Sequence, residues 1–348
     1  MALGTIGLAV AQLVFQVHGV DEHGRAVLGH KLHRHELTTF LEQLSRCAVF
    51  LEACGAGHDW GRRLTGLGHE VKPIAPEAGR PFVKRRKKNG AVDAAALRVA
   101  GSRPELQFVP IKSVRQQAVL TLHAARSPLV KRQTMLADAI RGPANEFGLV
   151  VPQGRRRLEE PVAQVTAAAG IPAEGRQAPT MLHEQLQATE ERIAMLEAQI
   201  VADARQDTRA RRLATIPGIG PITASLIAAT LGDNSAAFRS ARHFAAWLGL
   251  VPRQHATGGK PRLGRITKAG HAEIRRLRVM GAAAMLRRAE TWNSAAGIWL
   301  RGVLARRPVR LTTAALANEM ARIAWALPTR NDVYRAQGRS KVAAPAAA

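Results

Sequence analysis

The chain has 348 residues, 46% hydrophobic and 4% aromatic, with 51 Lys and Arg against 26 Asp and Glu, a formal net charge of +25. That length exceeds one ordinary domain, the apolar content excludes wholesale disorder, and the charge excess calls for a polyanionic partner. So few aromatics argue against base stacking as the main mode of contact, and no apolar run reaches the ~20 residues that span a bilayer. Two cysteines, Cys47 and Cys54, fit a reducing compartment and lack metal-ligand spacing. No basic region precedes the first apolar stretch, so a cytoplasmic protein without a signal peptide is expected.

In chain order, residues 4–32 read as two or three strands. GTIGLAVAQLVFQVHGV is rich in Val and Ile, Asp21-Glu-His-Gly24 supplies turn chemistry, and Arg25 to Leu32 alternates as a returning strand. Leu37, Phe40, Leu41 and Leu44 then fall at helical spacing. A short strand at Ala48–Leu51 runs into Glu52-Ala-Cys-Gly55, followed by a helix over Gly57–Leu67 and a strand over Glu70–Ile74. Strands first, then strand and helix in alternation, predict an α/β sheet covered on both faces. The histidines His18, His30, His33 and His35 read as strand-surface residues. Five consecutive cations, Lys84, Arg85, Arg86, Lys87 and Lys88, precede Asn-Gly-Ala-Val-Asp93 and an Ala-rich helix. They fit a solvated run or a phosphate contact equally well.

Val114 to Phe147 is helical in pattern, and Pro152 to Pro179 reads as loops around short helices. Met181 to Asp207 predicts a long helix whose Leu182, Leu186, Ile193, Leu196 and Ile200 follow a 4-then-3 rhythm with Thr189 in the remaining slot. That is a coiled-coil or helical-hairpin spacer, or an ordinary amphipathic helix. Ile216-Pro-Gly-Ile-Gly-Pro221 then opens an apolar helix. Gly218 and Gly220 there fit a helix-hairpin-helix, in which main-chain N–H groups approach a phosphate, or a tight turn with no ligand. Several Arg-faced helices follow to about Leu327, with Trp247, Trp292, Trp299 and Trp325 as core anchors. The resulting class is α/β plus α: a domain over 1–112, a helical and coiled-coil region over 113–207, a mostly helical domain over 208–330, and a disordered tail over 331–348.

Arg253 to Arg278, RQHATGGKPRLGRITKAGHAEIRRLR, carries eight Lys and Arg against the single acid Glu273. No core tolerates that charge, so the segment is expected as a flexible cationic loop between two packed helices, facing water or a nucleic-acid backbone. Phosphodiester chemistry needs acids holding Mg²⁺ or an activated hydroxyl. The acids that follow a strand or open a helix are Glu52 and Asp93, and the one hydroxyl in the glycine-rich turn is Thr257, between Ala256 and Gly258.

The fragments VFQVHGVDEHG, LEACGAGHDW, PFVKRRKKN, FVPIKS, RLATIPGIGPITA, FAAWLGLVPRQH, GGKPRLGRITKAG and ALANEMARIAW together resemble, in order and over most of the chain, the bacterial transposases of the insertion sequence 110 family, 1111 subgroup. The resemblance implies a RuvC-like N-terminal domain of ribonuclease-H type, a coiled coil, and a C-terminal domain with a catalytic serine. It further implies Mg²⁺ at four acids, a structured guide RNA choosing DNA sites, and dimers pairing into a tetramer. Carried over residue by residue, Ala9 stands in the first acid's place and Glu52 in the second's. Gly90 replaces the third, Asp93 keeps the fourth, and Ala256 occupies the serine slot beside Thr257. In the glycine-rich segment Arg253, Gly258, Gly259, Lys260, Arg262, Arg265 and Lys268 are the candidate phosphate contacts. The expectation is a DNA recombinase whose chemistry is impaired and whose metal site is weakened or absent. A catalytically inactive nucleic-acid-binding relative, acting as repressor or scaffold, is the alternative. A nuclease-like fold with no nucleic-acid contact conflicts with the charge.

Overall fold

The computed structural model describes residues 3–83, 89–150, 158–232, 237–292, 294–330 and 332–335. The run Lys84–Lys88 and the tail beyond residue 335 lie outside the described residues. Two units divide the chain: Met1–Gln117 with Leu231–Ala237, and Ala118–Thr230 with Phe238–Ala348.

The first unit contains β1 (Leu3–Ala9), β2 (Val14–Asp21), β3 (Ala26–His33), α1 (Leu37–Glu42), β4 (Ala48–Glu52), α2 (Gly57–Gly66), β5 (Glu70–Ile74), α3 (Pro76–Gly79) and α4 (Gly90–Gly101). The sheet order is β3-β2-β1-β4-β5, antiparallel over the first three strands in the chain and parallel from β1 through β4 to β5. The β2–β3 hairpin turns where the sequence pattern puts it. Asp21 accepts hydrogen bonds from the amides of His23 and Arg25, both at 2.9 Å, and pairs with the Arg25 guanidinium. Ile6, Leu8, Phe15 and Val17 point to one face and pack on Leu37, Leu41, Trp60 and Leu64. On the opposite face Phe50 and Ile74 pack on Leu97 and Ala100 of α4. Gly7 permits this second layer, because a Cβ there would overlap the carbonyl oxygen of Ala94. Both faces are therefore covered, as the mixture of alternating and continuous apolar strands requires.

Helix α5 (Val114–Glu146) leads into the second unit, which continues with α6 (Glu159–Ala167), α7 (Ala173–Gln206), α8 (Thr208–Leu213), α9 (Pro221–Leu231), α10 (Ala241–Trp247), β6 (Pro252–Thr257), β7 (Lys260–Ile266), α11 (Ala272–Leu286), α12 (Ala295–Leu304) and α13 (Val309–Thr329). Helices α5 and α7 run antiparallel: Arg126 bonds Glu197 while Gln133 bonds Glu190. Leu136, Ala137 and Ile140 meet Leu158, Val162 and Leu186 between them. Thr189 occupies its apolar slot without an orphaned hydroxyl, which donates to the Gln185 carbonyl at 2.7 Å. Helix α7 begins eight residues earlier than the pattern predicted, and Pro179 lies inside it. A proline forfeits one backbone bond, and burial of the α7 face, Pro179 included, outweighs that loss. Helix α9 is buried nearly all round, through Ala224, Leu226, Ile227, Ala228 and Ala229, and α11 and α10 both pack on α13.

One tryptophan expectation needs adjusting. Trp299 is 45% exposed on α12 rather than a core anchor. In the first unit Trp60 is fully buried and meets Phe15 edge-on at 5.1 Å. An amphipathic helix must leave one face open, and Trp299 stands on that face of α12.

Candidate functional site

The ends of β1 and β4 lie side by side, since Leu8 pairs with Leu51 in the parallel register, and the next residues are Ala9 and Glu52. Helix α4 crosses the same end of the sheet and brings Asp93 in its first turn. Ala9, Glu52 and Asp93 line one cavity of about 870 Å³, together with Val10, Arg80 and Leu97. Gly90 joins the group through Gln16, the cross-strand partner of Ala9: a Cβ on Gly90 would stand 2.7 Å from the Gln16 Cγ. The start of α4 is fixed by Asn89, whose side chain accepts from the Val92 amide at 2.9 Å. Positions from β1, β4 and the first turn of α4 thus converge, and two of the four carry carboxylates. Among the described residues no three His, Cys, Asp or Glu side chains gather as metal ligands. The cavity's donor set is therefore two carboxylates, enough for a Mg²⁺ held mainly by water and substrate phosphate, and short of a protein-built cage.

One neighbouring contact ties two of the sequence fragments together. His58 of α2 is buried, its Nδ1 accepts from the Lys112 amide at 3.3 Å, and its Nε2 lies 3.2 Å from the Lys112 ammonium. Burial, with Lys112 and Arg62 nearby, pushes the His58 pKa down to about 4, and burial lowers that of Lys112. Lys112 follows the bridge of Phe108 to Ile74, so this contact seats the last crossing segment of the unit on α2.

In the second unit the segment read as a loop is a β-hairpin. β6 and β7 pair only with each other, through a two-residue turn of Gly258 and Gly259 at φ 57° and 75°. Both residues sit in the left-handed region that such turns demand, and a Gly-Gly pair between alternating residues was the available signal. Every residue of the two strands is exposed except the half-buried Ile266. Directly opposed residues share a face. His255 with Arg262 and Thr257 with Lys260 form one face, Gln254 with Leu263 and Ala256 with Pro261 the other. The base is tethered: Arg275 donates to the Leu248 carbonyl at 3.0 Å and the Lys268 amide to Gly249 at 3.1 Å. Lys268 itself has φ 57°, an unusual conformation for a residue with a side chain.

The expectation that the whole cationic stretch faces water fails at its end. Arg278 is 0% exposed on α11, and its Nε and both Nη atoms have no hydrogen-bond partner among the described residues. Burial pushes its pKa down to about 10. Its helix face continues through buried Ala282, so position along the helix overrode charge.

The two glycines of the Ile216–Pro221 turn differ. Gly218, at φ 73°, faces Met285, Met320 and the Gly281 carbonyl, all within 2.9 Å of where a Cβ would stand. Gly220 opens α9 with nothing within 4 Å of that point.

A family model described as Transposase IS116/IS110/IS902 family matches residues 210–296, from α8 through the hairpin to the start of α12. A Pseudomonas aeruginosa protein named "Probable family 20 transposase" is 46% identical over 338 residues, 96% of this chain and 99% of its own length. The transposase for insertion sequence element IS1328 of Yersinia enterocolitica is 37% identical, covering 94% of this chain and 98% of itself. That for IS1111A of Coxiella burnetii is 35% identical, with 95% and 91% covered. The chain belongs to the IS110 transposase family.

For this transposase, DNA transposition is the functional class that family membership supports. Among its described residues no helix is long and apolar enough to cross a membrane. The transposase pocket lies outside the matched segment, and the hairpin lies inside it. Glu52 at a strand end, Asp93 at a helix start and the cations of the hairpin stand where the sequence pattern puts them, and the strand register sorts the hairpin residues onto faces.

Proposed function

We propose that this member acts on element-end and target DNA as a recombinase whose chemistry is impaired relative to its family. The observation that carries this reading is the cavity where Ala9, Glu52 and Asp93 meet with Gly90 alongside. On this reading the cavity is a RuvC-like acid site in which two of four carboxylates are replaced. Glu52 and Asp93 then hold at most one Mg²⁺, weakly, because a hard cation is concentrated by negative oxygen ligands. A bound Mg²⁺ would polarise a phosphodiester. The protein's own part is to present the two carboxylates from a fixed sheet end and helix start.

At the hairpin, Ala256 removes the hydroxyl from the serine slot. Thr257 is the hydroxyl that remains, and the register sets it on the face of His255, Lys260 and Arg262. We assign it any residual attack, with its stiffer χ1 as a handicap. Arg253, Lys260, Arg262, Arg265 and Lys268 supply phosphate contacts, as do Lys84–Lys88. Exposed Gly220 fits the phosphate-facing glycine of a helix-hairpin-helix, whereas Gly218 is explained by packing. The domain plan that goes with this reading is a RuvC-like domain over 1–112, a coiled-coil region over 113–207 and a serine-type domain over 208–330. A structured guide RNA and paired dimers complete it.

The test is strand exchange with element-end DNA, target DNA, cognate RNA and Mg²⁺. The natural chain should be near background, and the triple variant Ala9→Asp, Gly90→Asp, Ala256→Ser should gain at least about a thousandfold, since removing a nucleophile alone can cost more than that. Efficient exchange by the natural chain would refute impairment. Failure of the variant to exchange while both forms bind DNA would favour the repressor or scaffold reading.

A further inference from the structure

Resting on the reading of the hairpin as a DNA contact, we infer that Arg275 and the Arg126–Glu273 pair are positioning residues. They hold the hairpin in its DNA-binding direction and do not themselves touch phosphate. A two-stranded ribbon has no core of its own and is marginal in water. β6 and β7 pair only with each other, and all their residues but Ile266 are exposed. Whatever sets the direction of the ribbon therefore acts at its two feet, residues 248–251 and 267–270. One side chain reaches both. Nη1 of Arg275 donates to the Leu248 carbonyl at 3.0 Å and to the Ala269 carbonyl at 2.5 Å. Between the same feet the Thr267 amide donates to Val251 at 2.9 Å and the Lys268 amide to Gly249 at 3.1 Å.

The clamp is itself anchored. Arg275 lies in the first turn of α11 beside Glu273, the one acid between Arg253 and Arg278. Glu273 accepts from Nε of Arg276 at 2.9 Å and lies 3.7 Å from Nη1 of Arg126 on α5. Arg126 also donates through Nε to Glu197 of α7 at 2.8 Å. The Glu273 and Arg126 side chains are 17% and 11% exposed, so salt screens their pairing little. A guanidinium donates in a planar fork, and sharing it between two carboxylates fixes direction as well as position. One side chain thus ties the turn that clamps the hairpin to both long helices. The eight cations from Arg253 to Arg278 then fall into two groups. Arg275 bonds carbonyls, Arg276 bonds Glu273 and Arg278 is buried, which takes the arginines of α11 out of the count. Arg253, Lys260, Arg262, Arg265 and Lys268 are left to meet phosphate.

The two roles differ in their salt dependence. Losing a phosphate contact flattens the slope of log K against log salt, whereas losing preorganisation lowers affinity by one factor at every salt concentration. The measurement is titration of a mixed-sequence B-form duplex by the full-length protein over a range of salt. Arg275→Met and Arg126→Met should each weaken binding by about tenfold at an unchanged slope, roughly what ordering the backbone of one residue costs. Lys260→Ala and Arg262→Ala should each lower the slope by about one. Hydrogen exchange at the Thr267 and Lys268 amides should speed up in Arg275→Met while that of α13 stays unchanged, which tells loosened feet from a loosened fold. Arg126→Met leaves the Arg275 bonds in place and carries the test should Arg275→Met fail to fold. A slope lowered by about one in either Met variant makes that arginine a phosphate contact, and unchanged affinity makes it purely structural. Either result overturns the positioning role, as does equal speeding of exchange in α13. A slope unmoved by both Lys260→Ala and Arg262→Ala instead removes the hairpin from the DNA interface, and with it the reading beneath.

Discussion

The cavity of the first unit and the hairpin of the second are built on opposite principles. In the cavity, position is dictated by burial: Ala9, Glu52 and Asp93 are held where they are because the residues behind them, Leu8, Leu51 and Ala94, are wholly buried. The frame holds a carboxylate at Glu52 and Asp93 and a small residue at Ala9 and Gly90. In the hairpin nothing is buried behind the functional side chains, and position is dictated by strand pairing and a glycine turn. Lys260 and Arg262 stand on one face of it and Ala256 on the other. Packing behind the side chains fixes the one place, and strand pairing fixes the other.

The contrast can be broken at its tightest point. Gly7→Ala drives a methyl into the backbone of α4, which no side-chain rotation relieves. A loss of about 3 kcal/mol or more is expected in urea unfolding, at the upper end of overpacking. A loss below about 1 kcal/mol would show that α4 is not held as described.

Acid probes the same frame. His58 and His123 are both buried and pushed down to about 4 by burial above all, and in His123 the ring Nε2 lies 3.1 Å from the Ser225 hydroxyl. Their folded pKa values lie below the unfolded 6.5, so the unfolded chain binds more protons between the two. Their contribution is present above about pH 6.5 and is lost as pH falls toward 4, on the order of a few kcal/mol in total. Melting temperature followed over that window should drop, and less so in His58→Gln. An unchanged profile in that variant would remove His58 from the account.

Arg278→Met sharpens the comparison from the other side. A buried guanidinium without a partner among the described residues is a cost, so an apolar residue of similar length should stabilise by about 1–3 kcal/mol. Destabilisation instead would reveal an acceptor that the charge requires. The smallest effect belongs to the hairpin: Leu263→Ala should change folding stability by less than about 0.5 kcal/mol, as for surface positions generally.

The sheet of the first unit was largely legible because its strands carry the apolar period and its turn carries Asp21 and Gly24. Glu52 and Asp93 were legible as acids at a strand end and a helix start. The cavity they share was not, since it depends on β1 and β4 being neighbours while β2 and β3 intervene in sequence. Pro179 misled, because proline marks a break only where packing does not overrule it. The hairpin was masked by its own charge: cations at every second or third place hid an alternation that apolar residues would have displayed, and only Gly258-Gly259 signalled the turn.

By itself, then, the sequence determined composition, charge, the apolar periods and the family motifs, which follow from residue identity and local spacing. Tertiary structure alone decided three things: that Ala9, Glu52, Asp93 and Gly90 converge, that Arg278 is buried, and that Ala256 and Thr257 stand on opposite faces. Each depends on which distant segment lies alongside, and pairing between segments is settled by the packing of the whole chain.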